Sequence, residues 1–418
     1  MSGIRVSALG ALSALAVCCV SMLIPKVAFT AGEAHASTCR GASQTAPAES
    51  RSEALVAAYN GCGQQLFQAI ADKPRNIVLS PYSIGTAMAM TLVGARGETA
   101  SEMAKVLGLL FPPEEIDGAN GDLLTSLNGA STRSFQLRVA NALILPKRGS
   151  AISEGYSADL RHNYAAEIFR GATVATVNNW VKEQTAGKID SILNQVDPLT
   201  ALVLINAVYF KAPWRSPFNA AATHNEAFHL INGKIAVPTM VVRADFAVAE
   251  RPGYDAIRLP YAGDRLAMII MLPKIGVADA VQRFDGDELQ HLLVALRAPE
   301  RPIDVSLPRF HASFSVSLAG PFAEMGMHRA FDTRTVDFSG ITGKPQSEVS
   351  LAIDQIRHRA VVDVAEEGTE AAAVTGVGVK IISAIPVSTF RVDRPFMFAI
   401  VDQKIGAVLF EGQITDPR

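Results

Sequence analysis

Two predominantly apolar runs of strand length, Leu137 to Leu145 and Ala201 to Phe210, constrain this chain more than any other feature. A strand with one wet face alternates polar and apolar residues. A run without that alternation belongs in the middle of a sheet covered on both faces. The chain must therefore build a large sheet with layers packed above and below it. At 418 residues, 49% hydrophobic and only 19% charged, it is long and apolar enough for such a core, and too apolar for a disordered polymer. Lys+Arg 38 against Asp+Glu 40 leaves a net charge of −2, so no field of one sign exists to gather nucleic acid or an acidic membrane. No nucleic-acid partner is expected.

At the N-terminus, Arg5 precedes an uncharged stretch from Val6 to Ile24, followed by Pro25, Lys26 and Ala34-His35-Ala36. That is the order of a secretory signal cut after Ala36, so residues 1–36 are expected to be removed on export. A membrane tether is expected only if this leader stays uncleaved or is lipidated, and Leu15-Ala16-Val17-Cys18 fits an acylation box poorly because Val17 is too large. Cys39 and Cys62 remain in the exported chain, as a bridge or as free thiols. Residues 37–51, rich in Ser, Ala and Thr without periodicity, read as a flexible tail. A single domain, residues 52–418, follows.

Within that domain, Leu55, Tyr59, Cys62, Leu66 and Ile70 recur at three- and four-residue steps and mark an amphipathic helix. Ser80-Pro81 opens a second helix, since a hydroxyl at the cap satisfies free amides and proline loses no hydrogen bond at the next position. Further helical patterns run from Ser153 to Ala165, Val177 to Thr185 and Asp287 to Leu296. Tyr254 to Leu259 and Leu266 to Leu272 flank a turn at Gly263 and predict a hairpin; Phe396 to Val401 and Ala407 to Phe410 predict another. Strands and helices are mixed without a repeating βαβ period, which places the chain in the α+β class.

Motifs for catalysis are absent from the sequence. There is no Cys-x-x-Cys pair, His-Glu-x-x-His helix or EF-hand loop, so neither metal nor cofactor is expected. No Gly-x-Ser-x-Gly elbow or phosphate-binding Gly-Lys-Ser/Thr loop occurs, and Gly376-Val377-Gly378 lacks the lysine and hydroxyl that a nucleotide site needs. Glu366, Glu367 and Glu370 could be taken for an acid/base cluster, but solvated charge at a strand end accounts for them. The chain is not expected to be an enzyme.

Five strings stand in a fixed order: NIVLSPYSI from Asn76 to Ile84, NAVYFKAPW from Asn206 to Trp214, VDFSGI from Val336 to Ile341, HRAVVDVAEEGTEAAAVTG from His358 to Gly376, and DRPFMFAI from Asp393 to Ile400. In composition and order they resemble the serpin superfamily, over the chain from about Leu55 to Pro417. The resemblance implies a fold of three β-sheets and eight or nine helices, with an exposed reactive loop near the C-terminus. In inhibitory members a protease cleaves the loop and is acylated by it. The loop then inserts into the main sheet as a new strand and the enzyme is held with a distorted active site. The resemblance also implies that Ser80, Ser83, Asn206 and His358 form a polar cluster under the centre of the main sheet that controls its opening, and that Trp214 marks where the loop goes in. A satisfied core histidine, capping serines and a plain core aromatic would explain the same residues.

The resemblance makes Glu366, Glu367, Gly368, Thr369, Glu370, Ala371, Ala372, Ala373, Val374 and Thr375 the hinge of the loop, and the residues themselves fit that role. Side chains of an inserted strand alternate between faces. One face would present Thr369, Ala371, Ala373, Thr375, Val377, Val379 and Ile381, small and then mostly β-branched; the other would present Glu370, Ala372, Val374, Gly376, Gly378 and Lys380. Bulky or charged groups at the leading end would clash or be buried without partners, whereas the Thr369 hydroxyl can be buried with a hydrogen bond. Val374 departs from the family's usual Ala, Gly or Ser and predicts slower insertion. On the order of ten new ladder bonds at roughly 1 kcal/mol each would supply the drive, with apolar burial added.

Counting on from Thr369 by the family's spacing gives Ile382-Ser383 as the cleaved bond. Counting back from Arg394-Pro395-Phe396 gives Ala384-Ile385, so the loop is slightly longer than typical. Lys380-Ile381 remains as a trypsin-type option, and Ile385-Pro386 is dismissed because proline after the cleaved residue is poorly tolerated. A small or aliphatic side chain in the protease pocket points to elastase-like, chymotrypsin-like or subtilisin-like serine proteases as covalent partners of a secreted, monomeric inhibitor. A non-inhibitory binding protein on the same fold, or an inhibitor of cysteine proteases, is the alternative. Gly320-Pro321 is expected to interrupt the helix before Met325.

Overall fold

The two apolar runs become neighbouring strands. In the computed structural model, which describes residues 48–130, 136–145, 152–195, 202–369 and 388–418, Gln136–Leu145 and Leu202–Pro213 pair antiparallel, with Leu143 opposite Leu204 and Asn141 opposite Asn206. They lie in a six-stranded sheet whose order is Phe310–Ser317, Ile353–Ala365, Gly368–Thr369, Leu202–Pro213, Gln136–Leu145, Glu167–Arg170. Ile353–Ala365 and Leu202–Pro213 also pair directly and in parallel, from Ile353 opposite Leu202 to Val361 opposite Tyr209.

Both faces of this sheet are covered, as the apolar runs require. The main core lies on one face and includes the helix Pro81–Leu92, every residue of which is buried. Ser80 caps that helix as expected, its side chain accepting the backbone N–H of Ser83. A smaller core on the other face gathers residues of the helix Val174–Gln184 and of the segment that follows it.

The second sheet has nine strands and holds both expected hairpins, Tyr254–Pro260 with Leu266–Pro273 and Phe396–Asp402 with Val408–Ile414. Its long strand Gly233–Arg251 pairs first with His224–Leu230, then with Arg301–Pro308, and finally with Tyr254–Pro260. Counted apart on either side of that shared strand, the nine strands make the second and third of the three expected sheets.

Ten α-helices occur among the described residues, and three of them, Val277–Arg283, Ala319–Glu324 and Ser339–Thr342, are two turns or shorter. Two expectations need correcting. The first helix is Ala48–Ile70 and takes in the end of the segment read as a tail. Gly320-Pro321 does not interrupt its helix but sits in the first turn of Ala319–Glu324, where backbone amides have no helical acceptor and proline therefore removes no bond.

Candidate functional site

Beyond Val361 and Tyr209 the two parallel strands of the main sheet part. The chain turns back at Glu366-Glu367 and enters the space between them. Thr369 pairs with Val364 on one side and Ala212 on the other, and Gly368 with Ala365 and Pro213, antiparallel to both strands. The close fit selects glycine at 368, where an added Cβ would lie 2.1 Å from the Ala212 carbonyl oxygen and 2.6 Å from Pro213 Cα. Thr369 is fully buried, and its hydroxyl shares a 2.7 Å hydrogen bond with that of Tyr261.

Tyr261 in turn stacks on Trp214, with centroids 4.5 Å apart and planes 8° from parallel. Trp214 donates from its indole nitrogen to the Ala365 carbonyl at 2.9 Å and from its backbone to the Glu367 carbonyl at 2.8 Å. It is a buried core aromatic and also the residue that holds both ends of the Glu366-Glu367 turn. Glu366, expected to be solvated, is only 5% exposed. Its carboxylate pairs with Arg309 and accepts the Thr223 hydroxyl. Burial pushes this carboxyl up, but Arg309 and Thr223 outweigh it and hold it below the usual carboxylate range. Glu366 is buried because a strand that folds back into its own sheet carries its turn inward. Glu367 is half-buried, and Glu370 to Thr375 and the candidate bonds between Lys380 and Ile385 lie outside the described residues.

Farther along the sheet, Asn206 faces His358 in the parallel ladder and Asn141 on its other side. Three buried polar side chains thus cross three adjacent strands at one level, with Ser80 and Ser83 against them. His358 Nε2 accepts the backbone N–H of Ser80 at 3.3 Å, so Nδ1 carries the proton and donates to Asn206 Oδ1. The Asn206 amide then donates to Asn141 Oδ1 at 2.6 Å and to the Ser83 carbonyl at 2.9 Å, with the Ser83 hydroxyl also in contact. Burial pushes His358 down to about 3, which keeps the imidazole neutral as this bonding requires. Ser80, Ser83, Asn206 and His358 are therefore brought together, with Ser80 capping a helix as well. Asn141 was missed, although a lone amide inside an apolar strand was a usable signal. Tyr261, Arg309 and Thr223 carried no such signal.

Among the described residues no group of His, Cys, Asp and Glu could hold a metal ion, and no helix is long and apolar enough to cross a membrane. Cys62 is a buried free thiol pushed up to about 12 by burial first and Glu411 second; Cys39 lies outside the described residues. What the arrangement can do is admit a strand. Its seam is already parted at one end and latched by a polar chain in the middle.

Comparison with known proteins gives the family. Residues 57–417 match the family model described as serpin (serine protease inhibitor). The chain is 38% identical over 384 residues to an uncharacterized serpin-like protein of Thermococcus kodakarensis, covering 88% of this chain and 87% of that one. It is 34% identical over 388 residues to leukocyte elastase inhibitor of Bos taurus, covering 87% and 100%. Among solved structures, the thermophilic serpin tengpin in its native state matches with a TM-score of 0.79 at 27% identity, over 87% of this chain and 94% of that one. Protease inhibition, rather than catalysis, is the general business of such relatives. The fold, the ordered motifs and these likenesses together make the chain a member of the serpin family.

Proposed function

We propose that this serpin is a secreted suicide inhibitor of serine endopeptidases that traps its target by drawing the cleaved loop into the seam between Ile353–Ala365 and Leu202–Pro213. The observation that carries the reading is the paired, buried Gly368–Thr369 strand, which supplies both the direction and the register of insertion. Each further residue of the loop would move one place back along both neighbours. Counting down from Ala212 and Val364, Thr375 would come to lie between Asn206 and His358, on the same face as Thr369. Its hydroxyl can both donate and accept, so it suits the place where Asn206 and His358 lose each other. Val374 would stand between Ala207 and Arg359, on the face covered by the helix Val174–Gln184, which gives its bulk a reason to slow insertion.

The leader at residues 1–36 supports export, and the small or aliphatic residues at Ile382-Ser383 and Ala384-Ile385 support an elastase-like target, as does the name of the bovine relative. Mixing the protein with elastase should give an SDS-resistant complex, and loop cleavage should raise the melting temperature. Clean cleavage with full residual protease activity would sink the proposal. Thr369→Arg should turn inhibitor into substrate and reduce complex yield to near nothing, because a guanidinium cannot be buried beside Tyr261 without a partner.

A further inference from the structure

Away from the seam, the turn after the short helix Ser339–Thr342 meets the loop that joins the helices Pro81–Leu92 and Gly97–Leu107, and a hollow of about 470 Å³ opens there. Arg96, Ser153, Ser339, Gly340 and Lys344 line it, and none of them lies on either strand of the seam. Arg96 is firmly set. Its Nη1 donates to the carbonyls of Val93 at 2.9 Å and Ala95 at 2.7 Å, just past the end of the helix Pro81–Leu92. An added Cβ at Gly340 would stand 2.6 Å from Arg96 Cζ, Nη1 and Nη2 alike, so the guanidinium lies face-on against that glycine and no larger residue would leave it room. Among the described residues Nε and Nη2 make no bond. That free edge is the fork with which arginine grips an oxyanion through two parallel bonds. The neighbouring donors are free as well. Ser153 holds the cap position of the helix Glu154–Tyr164, yet its side chain makes no capping bond. Ser339 is engaged through its backbone amide, which donates to Asp337 Oδ1 at 3.0 Å. Lys344 Nζ meets Glu348 at 3.6 Å between two exposed side chains, a pairing worth little in water.

We propose that this hollow is a binding site for the tetrahedral oxyanion of a phosphate or sulfate monoester, held by the Arg96 fork, the Lys344 ammonium and the hydroxyls of Ser153 and Ser339. A tetrahedral ester group offers three free oxygens to donors on several sides, where a carboxylate offers only two in one plane. The hollow is far larger than one oxyanion needs and falls in the range of small-molecule sites, so the organic part of an ester has walls to touch. Asp337 already has one oxygen engaged, and Glu154 and Glu348 are exposed, so binding weakens as salt is added. An occupied site ties the end of one buried helix to the start of another and to the Ser339 turn.

Inorganic phosphate and inorganic sulfate, titrated into the full chain at constant ionic strength, should move the Ser339 and Lys344 amide resonances along saturating curves, and acetate should not. Lys344→Gln, at an exposed position, should weaken phosphate about ten-fold through loss of a charged donor. Arg96→Lys keeps the charge and loses the fork, and should weaken it at least as much; if that variant does not fold, Lys344→Gln still decides. Lys404→Gln, outside the hollow, should change nothing. Glycerol 3-phosphate and glucose 6-sulfate separate the two sources: the ester that binds more tightly names the ligand class, and phosphate binding alone should strengthen as pH rises through about 6. If neither ester binds more tightly than the free ions, the hollow takes an adventitious ion only and the proposal fails. It fails equally if Lys344→Gln binds phosphate as the parent does.

Discussion

Thr375→Val separates the inserted strand from the intact molecule. In the intact protein His358 Nδ1 already donates to Asn206 Oδ1. Once the proposed strand stands between them, both atoms need a new partner, and the register of Gly368–Thr369, if continued along the loop, would bring Thr375 to that place. Valine has the shape of threonine without its hydroxyl, so it leaves a buried acceptor and a buried donor unmet. At about 1–3 kcal/mol for each unsatisfied group, the inserted form should weaken by roughly 2–6 kcal/mol. The intact form should not change. Guanidinium unfolding of intact and loop-cleaved protein, parent against variant, reads both numbers, and Thr375→Ser should restore the cleaved form. Equal loss in the two forms, or loss in neither, would show that the loop does not continue the register seen at Thr369.

Gly368→Ala would drive a methyl group against the Ala212 carbonyl, so the hinge should come out of the sheet, with about 1 kcal/mol or more lost through the Thr369 to Tyr261 bond alone. Trp214 fluorescence should report it, because that residue bonds to the Glu367 carbonyl, and an unchanged spectrum would count against the seated hinge. His358 is pushed down from 6.5 to about 3, so the folded protein holds fewer protons than the unfolded chain between those values. Its contribution is complete above pH 6.5 and is lost as pH falls toward 3, by about 1.4 kcal/mol per unit. Glu411, buried with neither carboxyl oxygen hydrogen-bonded, is pushed up by burial from 4.5 to about 8, and its sign is opposite: stability is complete below 4.5 and lost as pH rises through 8. Between about pH 4.5 and 6.5 these two contributions should offset each other in urea unfolding, and Glu411→Leu should abolish the fall above pH 6.5. Stability that kept rising to pH 8 in the parent would contradict this account.

The helices and hairpins were legible where a local period or cap announced them, as in the stripe through Leu55 and Ile70, the Ser80-Pro81 start, and the turn at Gly263. Gly233–Arg251 was not, because it changes partners twice and its buried positions follow no single alternation. The resemblance pointed to the segment at Glu366 to Thr369 and to the residues of the polar cluster, but not to their bonding. Glu366 meets Arg309 across 57 residues and Thr369 meets Tyr261 across 108, and no pattern in either segment points to the other. Asn141 differs, because an amide that must be satisfied inside an apolar strand asks for a polar neighbour wherever the strand is placed.

The Gly368–Thr369 strand bears on the speed of the proposed trap. Starting a β-ladder is its slow step, since chain entropy is lost before many bonds form. Here nucleation is complete before any protease arrives, and what remains is a zipper growing from a seeded end. A molecule that must outrun hydrolysis of its own acyl bond would begin the race with its first teeth engaged.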